Sequence, residues 1–233
     1  MNQPKNVFLL NGSPRGEKSN SRVIGRYLSD RLEEKGLTSQ ESFITRLISQ
    51  GSPGIEKLYR QVDEADIIIF TAPLYVDSLP SFTIKAMEII QEHRKMQPTR
   101  NQSFLVPVIN CGFPEKEHME IALKIIRNFS EETNLRWAGA IIVGMGMALN
   151  GEPLSDKKGM TRNLTRGLAL AASSLAGGQP ISSEAEKLTS KSFLPLFLIK
   201  PALRAFGRQM WHSEAKADGS KPDMYARPYD IVQ

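Results

Sequence analysis

Four short, nearly continuous apolar runs punctuate the chain: Val7–Leu10, Ile67–Phe70, Phe104–Ile109 and Ala140–Val143. Unbroken runs of this length suit strands buried on both faces. Between them lie longer stretches with apolar positions at helical spacing and charged positions opposite, Asn20–Lys35, Ile55–Glu64, Ser81–Lys95 and Glu117–Glu132, and a further one, Thr161–Ala176, follows the last strand. Ser39–Leu47 alternates, with Phe43, Thr45 and Leu47 on one face, and is read as one more strand. Strands alternating with helices imply right-handed crossovers and a parallel sheet. The pattern predicts a three-layer, doubly wound α/β sheet of five strands in the order 2-1-3-4-5. Gly36 stands where the first helix should stop, and Gly177, Gly178 and Pro180 close the last core helix.

From about Gln179 the character changes. The stretch FLPLFLIKPALRAFGRQMW, Phe193–Trp211, is rich in apolar bulk, and the polar HSEAKADGSKPD follows it. We therefore expect a core domain over 1–178 and, over 179–233, a C-terminal helix and an arm packing on the core or on a partner subunit. Lys200, Arg204 and Arg208 interleave with the apolar residues as they do in interfacial helices. Pro195 and Pro201 interrupt that face, which favours packing on protein over a membrane surface.

Composition narrows the function classes. The 233 residues are 40% hydrophobic and 24% charged, as a packed globular chain requires. A net charge of +5 favours anionic partners such as phosphates, nucleotides or an acidic surface, but falls short of a nucleic-acid binder. Cys111 is the single cysteine and the three histidines share no ligand spacing, which leaves no disulfide and no expected metal site. The polar MNQPKN start and the lack of an 18-residue apolar run lead us to expect a cytoplasmic protein.

The chemistry concentrates where strands end. In an open parallel sheet, ligands bind beyond the carboxyl ends of the strands, at the switch point beside the first strand. There the sequence reads LNGSPRGEKSNSR. Ser13, Ser19, Asn20 and Ser21 are short donors at a helix N-terminus, and Arg15 adds a fork suited to phosphate oxygens. Ser19 or Asn20 alone would be no more than a helix cap. GSPRGEKS differs from a Walker A loop in placing Glu17 where the second glycine belongs, and no Asp follows the Ile67–Phe70 strand to hold Mg²⁺. The dinucleotide fingerprint G-x-G-x-x-G is missing from this turn. A single terminal phosphate, as in FMN, fits best. After the third predicted core strand, TAPLYVDSLPSFTIKAME offers a stiff turn with flat apolar surface at Pro73, Leu74, Tyr75, Val76 and Asp77. After the fourth, NCGFPE offers Asn110, Cys111, Gly112 and Phe113.

These three loops together resemble the FMN-contacting loops of the NAD(P)H-dependent FMN reductase-like flavoproteins, a branch of the flavodoxin-like fold. The resemblance covers about Val7–Gly144. It implies FMN phosphate on Ser13, Arg15, Ser19, Asn20 and Ser21, and the isoalloxazine against Pro73–Asp77 with Asn110–Phe113 at its other polar edge. It implies electron transfer from NADPH or NADH to a small acceptor such as a quinone, flavin, nitro or azo compound, often by a homodimer. The flavin carries that chemistry, so no catalytic side chain is nominated. Lys18, Arg22 and Arg227 are candidates for the nicotinamide nucleotide's phosphates. The iron–sulfur branch needs a cysteine cluster that this chain lacks, and Cys111 reads as a buried thiol. Two alternatives stand beside the reductase: a flavodoxin-type electron carrier, against which the positive charge argues, and a peripheral membrane quinone reductase.

Overall fold

The computed structural model describes residues 3–97, 102–157, 159–194 and 196–217. Residues up to Phe193 form one compact unit, past the expected boundary at 178, and the chain from Leu194 forms a second.

The compact unit is a parallel sheet between two helical layers. Its strands are β1 (Asn6–Asn11), β2 (Thr38–Phe43), β3 (Ile67–Pro73), β4 (Phe104–Asn110) and two short pieces, β5 (Arg136–Trp137) and β6 (Ile141–Val143). The order is β2-β1-β3-β4-β5, with β6 also paired to β4, so β5 and β6 together form the fifth strand of the expected 2-1-3-4-5 sheet. Alternate residues feed opposite cores. Phe8, Leu10, Ile68 and Phe70 pack with Leu58 and Val62 of α3 (Ser52–Glu64), Ala86 and Ile90 of α4 (Ser81–Met96) and Ile126 and Phe129 of α5 (Glu120–Glu132). Val7, Leu9, Ile67 and Ile69 pack with Ile24 and Leu28 of α1 (Asn20–Glu33), and with Leu164 and Leu168 of α6 (Arg162–Ala176). Helix α1 lies close on the sheet because Gly25 has no side chain: a Cβ there would stand 2.4 Å from the Thr71 methyl.

Two local departures from the predicted pattern have physical causes. The second strand stops at Phe43, and Ile44–Ser49 forms a short helix, α2, instead of continuing to Leu47. Ile44, Leu47 and Ile48 recur at helical spacing, and burying them against the core outweighs the alternation. The fifth strand is broken because Pro107 lies opposite the break. Odd residues of β4 face this strand: Ala138 N–H donates to the Leu105 carbonyl at 3.0 Å, and Cys111 N–H donates to that of Val143 at 3.1 Å. In a parallel ladder the next bond would run from residue 107 to the Ala138 carbonyl, and proline has no N–H to give. Ile181 N–H takes its place on the Ala138 carbonyl at 2.7 Å, and the Glu186 carboxylate accepts from Ala140 N–H at 2.9 Å. Gly139, at φ +96°, leaves room for that carboxylate. Glu186 belongs to α7 (Ser183–Thr189), whose Ala185 is part of the core, so the segment after 179 completes the sheet.

In the second unit, α8 runs from Leu196 to Ala217 with Pro201 inside it, and Phe197 and Trp211 are exposed. Pro195 and the arm beyond residue 217, with Arg227, lie outside the described residues. No described helix is long and apolar enough to cross a membrane.

Candidate functional site

The carboxyl ends of β1, β3, β4 and β6 meet at one edge of the sheet, and their loops are cross-linked there. The first loop turns at Gly12, whose N–H donates to the Thr71 carbonyl at 2.7 Å and whose carbonyl accepts from Thr83 Oγ1 at 3.0 Å. Asn11 Oδ1 accepts from Ser13 N–H at 2.9 Å, and Ser13 Oγ accepts from Arg15 N–H at 3.3 Å. The chain enters α1 at Ser19, an extended N-cap whose Oγ accepts from Arg22 N–H at 3.2 Å. The N–H groups of Asn20 and Ser21, in the first turn, have no acceptor among the described residues. Ser13, Ser19 and Ser21 are buried, whereas Arg15 is exposed and forms no ion pair among the described residues.

The fold itself engages the Ser21 hydroxyl and the Asn20 amide oxygen. Ser21 Oγ donates to Asn110 Oδ1 at 2.6 Å, and Asn20 Oδ1 accepts from Gly151 N–H at 2.7 Å. From this loop, the Ser13 and Ser19 hydroxyls, the Asn20 Nδ2 amide, the main-chain N–H groups of Asn20 and Ser21, and Arg15 remain to face a ligand. The loop's own carboxylate is drawn aside: Arg46 of α2 holds Glu17 at 2.6 Å, and this contact lowers the Glu17 pKa. Arg22 grips Glu41 with two bonds, 2.8 and 3.0 Å, and that pairing raises its pKa. Two of its five N–H donors are therefore committed to Glu41, while Lys18 is exposed. A cleft of about 340 Å³ opens outside the loop, between α1 and residues 151–155, but its arginines Arg22, Arg26 and Arg31 are each paired with an acid.

The loop after β3 is fastened by Leu74 N–H to the Asn110 carbonyl at 2.8 Å. Tyr75 and Ser78 then close a tight reversal over Val76 and Asp77, both at positive φ. Pro73 and Leu74 are buried, and Tyr75, Val76 and Asp77 are exposed. Beyond β4, Asn110 is buried and Cys111 more deeply so, while Phe113 stands out into solvent. The Cys111 thiol donates to the Phe113 carbonyl at 3.1 Å, and burial pushes its pKa up. The structure thus brings all three predicted loops to one edge, with Asn110 bonded to the other two.

The sequence reading missed a fourth loop, Gly144–Gly151, which follows β6. Gly146 N–H donates to the Cys111 carbonyl at 2.7 Å, and Met147 lies against Gly112. Met145, Asn150 and Gly151 all have positive φ. The signal was available in GMGMALNG, and in the fact that a fifth parallel strand must end at the same edge. Also missed was the approach of Asp77 Oδ1 to His118 Nδ1, 3.0 Å apart, an ion pair when the imidazole is protonated.

The donor chemistry fits an anion tethered to a flat ring. The first loop offers N–H and O–H groups with its one acid neutralised, and Asn11 Nδ2 and Thr71 Oγ1, on residues paired in register where β1 ends beside β3, are buried without partners among the described residues. Residues 5–128, more than half of the chain, match the family described as NADPH-dependent FMN reductase. The chain belongs to that family. As an FMN reductase-family member it is an FMN-dependent oxidoreductase drawing on a nicotinamide nucleotide. No curated protein matches it by sequence. Solved structures share the fold at low identity. An oxidoreductase from Corynebacterium diphtheriae is 10% identical, with a TM-score of 0.56 over 81% of this chain and 98% of its own. An NADH:FMN oxidoreductase in apo form is 14% identical, with a TM-score of 0.54 over 82% and 96%. An FMN-dependent NADH-azoreductase from Bacillus anthracis, solved with FMN, is 12% identical, with a TM-score of 0.53 over 74% and 99%.

Proposed function

We propose that the chain holds FMN across these loops and passes electrons from NADPH or NADH to a small planar acceptor such as a quinone, flavin, nitro or azo compound. The observation that carries this reading is the first loop: main-chain donors and an Arg15 that are unpaired among the described residues, and buried hydroxyls, bonded through Ser21 and Asn110 to the two loops that offer flat surface. Ser13, Arg15, Ser19 and the N–H groups of Asn20 and Ser21 hold the phosphate. The Asn20 amide oxygen and the Ser21 hydroxyl act one step back, fixing that loop to Gly151 and Asn110. Pro73–Asp77 and Asn110–Phe113 border the ring, with the N–H groups of Val76 and Asp77 presented to its polar edge. FMN when bound supplies the two-electron chemistry, and the protein supplies position and electrostatics.

The exposed Tyr75, Phe113 and Met147 give a nicotinamide, and then an acceptor, apolar surface to lie on. The buried, protonated Cys111 takes no part. The expected homodimer belongs to this proposal; it is supported by exposed Phe197, Leu198 and Trp211 on α8 and by Ile121 and Ile125 on α5. The test is spectroscopic. Purified protein should be yellow, and NADPH or NADH without oxygen should bleach it within seconds, with benzoquinone restoring the colour. A flavin that neither nucleotide bleaches, but dithionite does, makes the chain an electron carrier instead.

A further inference from the structure

The reversal after β3 is the most strained feature of this edge. Tyr75 and Ser78 exchange backbone hydrogen bonds at 2.9 and 3.0 Å, leaving only Val76 and Asp77 to turn the chain. Their φ angles are +48° and +60°. Two consecutive left-handed residues form a turn that Asn-Gly or Gly-Gly adopts readily. A β-branched residue at positive φ is a true outlier, and strain of this kind persists only where the surroundings over-determine it. Val76 does not anchor the turn by packing, since its side chain is 100% exposed. Among the described residues, the one side-chain tie leading out of the turn to another element is Asp77 to His118, at 3.0 Å. His118 is well placed to bear it. It lies in the helical turn Lys116–Met119 that leads into α5, its neighbour Met119 is fully buried, and its ring meets that of Phe113 with centroids 5.8 Å apart.

We propose that His118 is a positioning residue for the flavin ring: its contact with Asp77 braces the strained Tyr75–Ser78 turn against the segment that follows β4, so that the Val76 and Asp77 N–H groups stay in place for the ring's polar edge. The inference rests on the reading above that the ring lies against Pro73–Asp77. It assigns His118 no contact with the flavin and no proton transfer. The brace acts at the ring end of the cofactor and not at its phosphate, and it is needed because residue 76 is not glycine.

Both properties can be measured by titrating the full-length apoprotein with FMN and with riboflavin, following flavin fluorescence. His118→Ala should weaken both flavins by the same factor, about two- to five-fold, the range an exposed ion pair supplies. Asp77→Ala should match it, and the double variant should lose no more than either single one. In a Val76→Gly background, His118→Ala should lose less than half of its effect, because glycine takes positive φ unaided. At about 1 M salt the His118→Ala penalty should shrink towards none, as screening of an exposed pair requires. Wild-type chain that binds no flavin overturns the parent reading and the brace with it. Wild-type chain that binds both flavins, with His118→Ala equal to it, overturns the brace alone. So does a loss confined to FMN, or a penalty undiminished by Val76→Gly.

Discussion

Replacing Ser21 by alanine separates two roles that the sequence alone runs together. Ser21 sits in the predicted phosphate loop, yet its hydroxyl donates to Asn110 Oδ1 at 2.6 Å in a place where Ser21 is 1% exposed and Asn110 6%. Removing it strands a buried amide oxygen, which costs about 1–3 kcal/mol. In a unit of this size each kcal/mol moves the melting temperature by roughly 2–4 °C, so the apoprotein should melt roughly 2–12 °C lower. The comparison belongs in apoprotein, because bound flavin would add its own stabilisation by mass action. Flavin affinity should fall equally for FMN and riboflavin, since the lost bond spaces two loops and does not touch the phosphate. Arg15→Ala is the control with the opposite signature. Arg15 is exposed and forms no ion pair among the described residues, so apoprotein stability should shift by less than about 0.5 kcal/mol. FMN should weaken by about 1.5–3 kcal/mol, the worth of a charge-assisted contact, while riboflavin is unaffected. A Ser21→Ala apoprotein as stable as wild type, with a loss confined to FMN, would refute the reasoning and return the hydroxyl to the phosphate.

Two further outcomes follow from the fold and the buried thiol. A chain ended at Gly178 loses Ile181 and Glu186 from the gap opposite Pro107 and should show no cooperative melt by circular dichroism, whereas one ended at Phe193 should melt cooperatively; equal melts for both would mean the gap needs no patch. Burial raises the Cys111 pKa, so the folded state favours the protonated thiol: the stability this confers is present below the free-thiol value of 9.0 and is lost as pH climbs through the folded value. Urea midpoints of wild type should therefore fall more steeply above about pH 9 than those of Cys111→Ala, and parallel curves would show that the thiolate is as well solvated folded as unfolded.

The layered sheet was legible because its signal is local and repeated. Val7–Leu10, Ile67–Phe70 and Phe104–Ile109 can only be strands covered on both sides, and the helices between them carry one apolar face each. The second strand was overextended because Phe43, Thr45 and Leu47 satisfy a period of two as readily as Ile44, Leu47 and Ile48 satisfy 3.6. The break in the fifth strand was not legible from its own residues, since its cause is Pro107 on a neighbouring strand and its repair comes from residues 181 and 186. The same limit governs the site. The three loops could be placed at one edge from topology, but which hydroxyl faces a ligand and which faces the protein depends on pairs far apart in sequence, Ser21 with Asn110 and Asn20 with Gly151. Composition cannot reveal such pairs.

Those pairs also bear on why the site can be built from loops at all. Asn110 accepts from Ser21 through its side chain and from Leu74 N–H through its main chain. Next along, Cys111 donates its N–H to Val143 and accepts from Gly146 N–H. Two consecutive residues at the end of a central strand therefore tie the loops after β1, β3 and β6 to one rigid element. A cofactor that spans the edge from phosphate to ring needs those loops at fixed spacing, and spacing set by buried bonds is retained when the cofactor leaves. The Tyr75–Ser78 turn lies beyond this frame, and among the described residues its side-chain tie to another element is the exposed pair of Asp77 with His118. On the function proposed above, the part of the site that admits a nicotinamide and then an acceptor is thus the part held least firmly, as expected where two planar partners use one surface in turn.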